Sequence, residues 1–281
     1  MRRPFLKIAG LAALVTMLGG GLALAQDLPA RVKSAGKIVI ATNPNYAPIS
    51  FKDPATNKLG GFDIELGEAI GAELGVKVEW QEIAFAQMLP SIQTGRVDMA
   101  LAWMADNPRR REVVDFVNYA VTGAQFYTIE AFKNDIKAIE DLCGKQVGAS
   151  RSTTWPADID KWSAENCVAK GKTAVVAVGT EGSVDARTQL KTQRLQGAVH
   201  GSEVMQHFMK MEPGVYIPLG RPFTRALVGI PFAKTEEGAQ IREAVRGAMS
   251  RLQSKGIYAQ LLAKYGLLNN SHSPVTVNQG T

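Results

Sequence analysis

The order of strand and helix signals predicts an α/β fold. Short apolar runs of strand length recur along the chain, stretches with helical periodicity follow them, and the connecting segments are dense in Pro, Gly, Asn, Ser and Thr. With 281 residues and 46% apolar composition there is material for one large core or two smaller ones, which excludes disorder for the bulk of the chain.

The first residues have targeting character. Met1 to Lys7 is a basic head, Ile8 to Leu24 is an apolar run rich in Ala, Leu and Gly, and Ala23-Leu24-Ala25 is an A-x-A cleavage box. Residues 1–25 are therefore expected to be a signal peptide cleaved after Ala25, leaving an exported, soluble chain that begins at Gln26. No other run is long enough to span a bilayer. Removing Arg2, Arg3 and Lys7 takes the formal charge from +6 to +3, so a nucleic-acid reading loses its support. Cys143 and Cys167 are the two cysteines, and in an exported protein such a pair is expected to form a disulfide. Two thiols without a nearby His lack the ligand count for zinc, and His200, His207 and His272 form no ligand spacing. No metal and no cofactor is expected.

After a polar spacer, Lys37 to Ala41 reads as a strand running into Thr42-Asn43-Pro44-Asn45-Tyr46-Ala47-Pro48, a rigid loop that carries an aromatic. Phe62, Leu66, Ile70 and Leu74 recur every four residues in an amphipathic helix that Gly75 ends. Val76 to Ile83 alternates as a strand and delivers Phe85 to a loop. Residues 86–94 read as a short helix stopped by Gly95, and Val97 to Trp103 as the next strand. Tyr46, Phe85, Trp103 and Arg110 then all fall just past strand ends, the edge where ligands bind in open α/β sheets.

The segment after that last strand is the most telling. Asn107 is a good N-cap and Pro108 suits the first helical position, so a helix begins with Arg109, Arg110 and Arg111 in its first turn. Cations at the positive end of a helix are mildly repelled unless an anion lies between them. A guanidinium beside unpaired helical amides makes an anion site; a solvated charge run balanced by Asp106 and Glu112 is the plain alternative.

Gln125 to Ile129 is an extended apolar run, and a second α/β set follows. Gly144 to Ala149 is a strand leading into Ser150-Arg151-Ser152-Thr153-Thr154-Trp155-Pro156, a hydroxyl-rich turn ahead of a helix over 157–166, with the cysteines at either end of the unit. Ala174 to Val178 is a strand, Val184 to Gln193 a helix, and Gly197 to His200 a strand. Gly201-Ser202-Glu203 opens a helix whose Met205, Phe208 and Met209 read as core. Val215 to Leu219 is a strand, Ala226 to Phe232 a second extended run, and Thr235-Glu236-Glu237 caps a long helix followed by a shorter one. Residues 271–281 are polar and expected to be a flexible tail. There is no catalytic triad, P-loop or dinucleotide fingerprint.

Taken together, the chain resembles a periplasmic solute-binding protein of the amino-acid (family 3) type, the receptor of an ABC importer. The resemblance runs from residue 37 to about 268. It is carried by Ile40-Ala41-Thr42 through Tyr46-Ala47-Pro48 to Phe51, Gly61 to Leu66, Leu89-Pro90 with Gly95-Arg96-Val97-Asp98, Arg110 before Asp115-Phe116, Asp141 to Lys145, Ser152-Thr153-Thr154 and Gly256-Ile257-Tyr258. It implies a two-lobe periplasmic binding protein fold of type II with two hinge strands, lobe I from residues 26–124 and 226–270 and lobe II from 125–225. It also implies a monomer that closes on a small carboxylate-bearing ligand, an amino acid or analogue, and hands it to a membrane permease.

On this resemblance Tyr46 and Phe85 sandwich the ligand, Arg110 grips its α-carboxylate, and Thr153 and Thr154 contact it from lobe II. Asn43, Trp103, Ala105, Gly201 and Glu203 complete the expected ligand-binding set, with Arg109 and Arg111 peripheral. The chain departs from the family at Trp103 and Ala105, and again at Gly201, where the family's amine-binding aspartate should stand. Glu203, Glu181 or Asp185 would have to substitute, or the ligand lacks a free α-amine. An exported enzyme on the same fold, like the cyclohexadienyl dehydratases, and a sensory or accessory ligand-binding module are the competing readings.

Overall fold

The computed structural model describes residues 28–281, so the expected signal peptide and its cleavage site lie outside the described residues. Helix α1 (Ala30–Ala35) precedes β1 (Lys37–Thr42), whose Ile38, Ile40 and Ala41 are fully buried. A small antiparallel sheet of β2 (Asn45–Tyr46), β3 (Ser50–Lys52) and β4 (Leu59–Gly60) leads to α2 (Phe62–Leu74). The four-residue spacing in α2 sets its buried stripe, since Phe62, Leu66 and Ile70 have no exposure. Strand β5 (Lys77–Glu82) pairs parallel with β1, α3 (Phe85–Gln93) follows, and β6 (Met99–Ala100) takes the other side of β1.

Helix α4 (Pro108–Arg111) leads into β7 (Val114–Thr122). Next come β8 (Ala124–Ile129), β9 (Gln146–Ser150), α5 (Trp155–Asn166), β10 (Val176–Thr180), α6 (Ser183–Lys191), β11 (Gly197–Gly201), α7 (Ser202–Met211) and β12 (Tyr216–Leu219). Their strands form one five-stranded sheet in the order β10-β9-β11-β8-β12, parallel among β9, β10 and β11 and antiparallel at β8. Strand β13 (Ala226–Ala233), α8 (Glu236–Ser254), α9 (Ile257–Lys264) and β14 (Ser271–Val277) come last, and β13-β7-β14 make a fourth sheet, antiparallel throughout. Thr235 caps α8 by accepting from the Gly238 N–H, as the Thr-Glu-Glu signal predicts.

The result is a two-lobe α/β fold. The chain passes between the lobes at Thr122–Ala124 and again between β12 and β13, and the two crossings touch. The Ala124 N–H donates to Thr224 Oγ1 at 2.8 Å, and the Phe223 N–H to the Ala124 carbonyl at 2.8 Å. Gly123 sits where a Cβ would come 2.6 Å from the Thr224 carbonyl oxygen, so only glycine lets the crossings approach this closely. Tyr46 packs against the cores of both lobes.

Three local expectations need correction. Phe85 opens α3 instead of lying in a loop. The strand expected over Val97 to Trp103 pairs only at Met99 and Ala100. It is cut short because Trp103 takes a φ of 51°, a left-handed conformation costing a bulky residue on the order of 1–3 kcal/mol. Buried Asp63 holds it there, accepting from the Trp103 N–H at 3.1 Å and from the Tyr119 hydroxyl at 2.8 Å. Third, the tail expected to be flexible over 271–281 is ordered: Ser271–Val277 pairs with β7, Asn278 accepts from the Phe116 N–H, and the Gln279 N–H donates to Asn118. Backbone pairing needs no apolar side chains, so polarity misled here.

Cys143 and Cys167 form a disulfide across 24 residues, tying the turn before β9 to the end of α5. Replacing both with Ser is expected to destabilise the protein by ~3 kcal/mol, read as a lower Tm that reductant no longer changes. Burial pushes the Asp63 carboxyl up to about 7 against the two donors that favour its charged form. A group whose pKa is raised on folding gives stability that is present below about pH 4 and fades as pH rises toward 7. Across that window the stability of wild type minus that of Asp63→Asn should therefore decline with pH, and a flat difference in Tm measurements would contradict the assignment.

Candidate functional site

The arginine cluster sits on a very short helix. Asn107 Oδ1 accepts from the Arg110 N–H at 2.9 Å and Pro108 takes the first helical position, as the sequence predicts. The three guanidinium groups have separate fates. Arg109 is exposed at the surface. Arg111 turns inward, away from the cavity lining, and donates from Nη1 to Asp106 Oδ1 at 2.9 Å. Arg110 is half-buried in the cleft between the lobes, with Nη1 donating to the Ala105 carbonyl at 2.7 Å and Nη2 reaching the Ser152 carbonyl of lobe II at 3.4 Å. Its guanidinium carbon lies 5.4 Å from the Phe85 ring centroid. Burial, with Arg109 nearby, lowers its pKa to about 10 while Asp106 opposes the shift, so it stays charged at neutral pH. Both acceptors are carbonyls, which leaves the charge uncancelled and N–H groups free for an anion.

Arg110 lines a cavity of about 300 Å³. The expected residues Asn43, Tyr46, Phe85, Trp103, Ala105, Thr153 and Thr154 also line it, bringing together loops from both lobes. Gly201 and Glu203 do not: they stand behind the wall. The Glu203 carboxylate accepts from the Tyr46 hydroxyl at 2.6 Å and from Thr122 Oγ1 at 2.8 Å, and both donors separate it from the cavity. A Cβ on Gly201 would lie 2.0 Å from Glu203 Oε1 and 2.5 Å from the Tyr46 hydroxyl, so the Glu203 carboxyl fills the space that a side chain at 201 would need. Burial raises the Glu203 pKa, with the Tyr46 and Thr122 hydrogen bonds opposing it.

Of the other acids considered from sequence, Glu181 lines the cavity but is exposed and paired with Arg151 at 3.1 Å. Asp185, in the first turn of α6, is committed locally, accepting from the Glu181 N–H and from Gln189 Nε2.

Tyr46 lies flat on His200 of lobe II, with ring centroids 4.7 Å apart, and Trp155 adds a third ring 5.1 Å from His200. His200 Nδ1 accepts from the Gly201 N–H at 2.9 Å, which places the proton of the neutral ring on Nε2. Burial holds its pKa down at about 3, so it is neutral at physiological pH. The Trp103 indole N–H is buried beside Glu203 and makes no hydrogen bond of ordinary geometry.

Several lining residues escaped sequence reasoning, among them Thr122, Arg151, Trp155, Thr180 and Ser183. Arg151 and Trp155 flank the hydroxyl turn that the sequence did single out, and helix-opening Ser183 offers the same kind of signal. Thr122 is the last residue of β7, and nothing local marks it as facing a cleft. Among the described residues no His, Cys, Asp and Glu group could hold a metal ion, and no helix is long and apolar enough to cross a membrane.

Residues 38–268 match the family model of bacterial extracellular solute-binding proteins, family 3. An L-arginine-binding protein of Pseudomonas aeruginosa is 29% identical over 266 residues, covering 92% of this chain and 96% of that protein. An arginine-binding protein of Corynebacterium glutamicum is 25% identical over 252 residues, covering 90% and 81%. Among solved structures, an ancestral arginine-binding protein bound to arginine superposes with a TM-score of 0.73 at 27% identity, covering 82% of this chain and 98% of that one. With its two lobes and the cavity between them, the chain belongs to the family 3 bacterial extracellular solute-binding proteins.

Proposed function

We propose that this protein is the exported capture component of an ABC importer, cleaved after Ala25, and that it closes on an amino acid or related small carboxylate and presents it to a membrane permease. The lobes would be residues 26–124 with 226–270, and 125–225. One observation carries the reading: Arg110, charged and half-buried, lines a cavity between two lobes and spends its hydrogen bonds on neutral carbonyls. A planar fork in that setting suits a carboxylate. The three similar proteins described above are all named as arginine-binding proteins, which supports an amino-acid solute.

Phe85 and Tyr46 supply apolar surface beside the anchor, and Thr153 and Thr154 supply hydroxyls from lobe II. An α-ammonium entering the cavity meets no unpaired acid on its wall. The acid behind the cavity wall in the hinge region is Glu203, relayed through Tyr46 and Thr122, and this residue takes the role that Gly201 cannot. Glu203 would act either by rotating toward the ammonium or by orienting the Tyr46 and Thr122 oxygens as acceptors for it.

Calorimetric titration with a panel of L-amino acids and their 2-oxo acids tests both parts. Arg110→Ala should weaken every binder about 100-fold or more, a loss on the order of 3 kcal/mol, while Arg109→Ala changes little. Glu203→Gln should weaken amino acids at least about tenfold more than the matching 2-oxo acids. Undiminished binding in Arg110→Ala would overturn the anchor, and equal losses for both solute classes in Glu203→Gln would overturn the amine-side role.

A further inference from the structure

We propose that residues 271–281 are a positioning element for the solute-anchoring arginine, acting through a clamp made of Asp106, Arg111 and Gly280; this rests on the anchor role given to Arg110 above. Helix α4 is a single turn of four residues, Pro108–Arg111, too short to hold its own geometry. Its position must come from what grips it on either side. On the cleft side Arg110 itself donates back to the Ala105 carbonyl. On the other side stands Asp106, which has no exposure and whose carboxylate is fully engaged. Its Oδ1 accepts from Arg111 Nη1 at 2.9 Å, and its Oδ2 accepts from the Asn118 side chain at 3.0 Å and from the Gly280 N–H at 2.8 Å.

The same Arg111 Nη1 also donates to the Gly280 carbonyl at 2.6 Å. Gly280 therefore offers its N–H to the acid and its C=O to the base of one ion pair, closing a ring around the entry to α4. The fit leaves no room for a side chain, because a Cβ at residue 280 would lie 2.1 Å from the Asp106 carbonyl oxygen and 2.6 Å from its Cγ. Strand β14, Asn278 and Gln279 fix the approach of this segment by pairing with β7 and with Asn118 and Phe116. Asp106 is tied to lobe I at its own backbone, where its N–H donates to the Leu227 carbonyl at 2.8 Å. The family model ends at residue 268, so Gly280 and the strand that brings it to Asp106 and Arg111 lie outside the matched region.

Without the clamp, the buried Asp106 carboxylate would lose two of its donors, and beyond the backbone tie at Ala105 and Asp106 the turn that carries Arg110 would be held by the Asn107 cap. An anchor displaced by a fraction of an ångström loses most of the value of bidentate geometry.

Full-length Gly280→Val, Arg111→Ala, Arg111→Lys and the Gly280→Val/Arg111→Ala double variant test this. Hydrogen exchange of residues 104–112 is measured without solute. Affinity is measured for whichever member of the amino-acid and 2-oxo-acid panel binds wild type most tightly. Gly280→Val and Arg111→Ala should each speed exchange in this segment and weaken binding, both by about tenfold, with Tm lowered by less than about 5 °C. The double variant should be no worse than either single, since both break one clamp. Arg111→Lys should stay within about threefold of wild type, because a single nitrogen makes both contacts and an ammonium can replace it. Unchanged exchange over 104–112 in Gly280→Val, losses that multiply in the double variant, or normal affinity in both singles would overturn the proposal. If no panel member binds wild type, the solute reading fails, and the exchange measurement, which needs no solute, still decides the clamp.

Discussion

A guanidinium that stays charged in a half-buried cleft, with its partners chosen so that its charge is not cancelled, is the constraint on which the rest of this structure depends. Desolvation works against the charge of Arg110, and a carboxylate beside it would relieve that cost while filling the place an anion should take. The structure keeps the acid one step away. Asp106 lies beneath the turn, close enough to favour the charge on Arg110 and committed to Arg111, Asn118 and Gly280. Arg110 is left with carbonyl oxygens and an aromatic face.

The opposite wall solves a related problem with the sign reversed. Glu203 is a buried carboxylate without a cation, satisfied by the hydroxyls of Tyr46 and Thr122. Those donors belong to different parts of the fold, Tyr46 to lobe I and Thr122 to the end of a hinge strand, while Glu203 lies on α7 of lobe II. One polar group therefore reports the relative placement of both lobes and the hinge, and Tyr46 on His200 adds a stacked contact across the same gap. In the function proposed above, closure and solute selection would act on the same side chains.

Much of this could be read from the residues. The apolar periods placed the strands and helices because each buries one face, and the Asn107-Pro108 start of α4 obeys local capping rules that need no tertiary information. What escaped reading depended on distant partners. Trp103 leaves the strand region because Asp63, forty residues earlier, captures its N–H. Residues 271–281 look unstructured by composition, yet their polar groups fit polar positions on β7 and α4 that no local pattern reveals. The ten expected binding residues split on similar grounds. Eight line the cavity because they lie just past the ends of the sheet strands, in loops, helix starts or a short hairpin strand, whereas Glu203 folds back over Gly201 and Gly201 has no side chain to present. Arg111 looked identical to its neighbours in sequence, and only the buried Asp106 distinguishes it.

The most direct measurement of the central claim is a crystal structure of the protein with its tightest-binding carboxylate solute. The account predicts the solute enclosed between the lobes, with its carboxylate oxygens about 2.7–2.9 Å from the Arg110 guanidinium nitrogens. A solute carboxylate held elsewhere in the cleft, with Arg110 still bonded only to the Ala105 and Ser152 carbonyls, would contradict it.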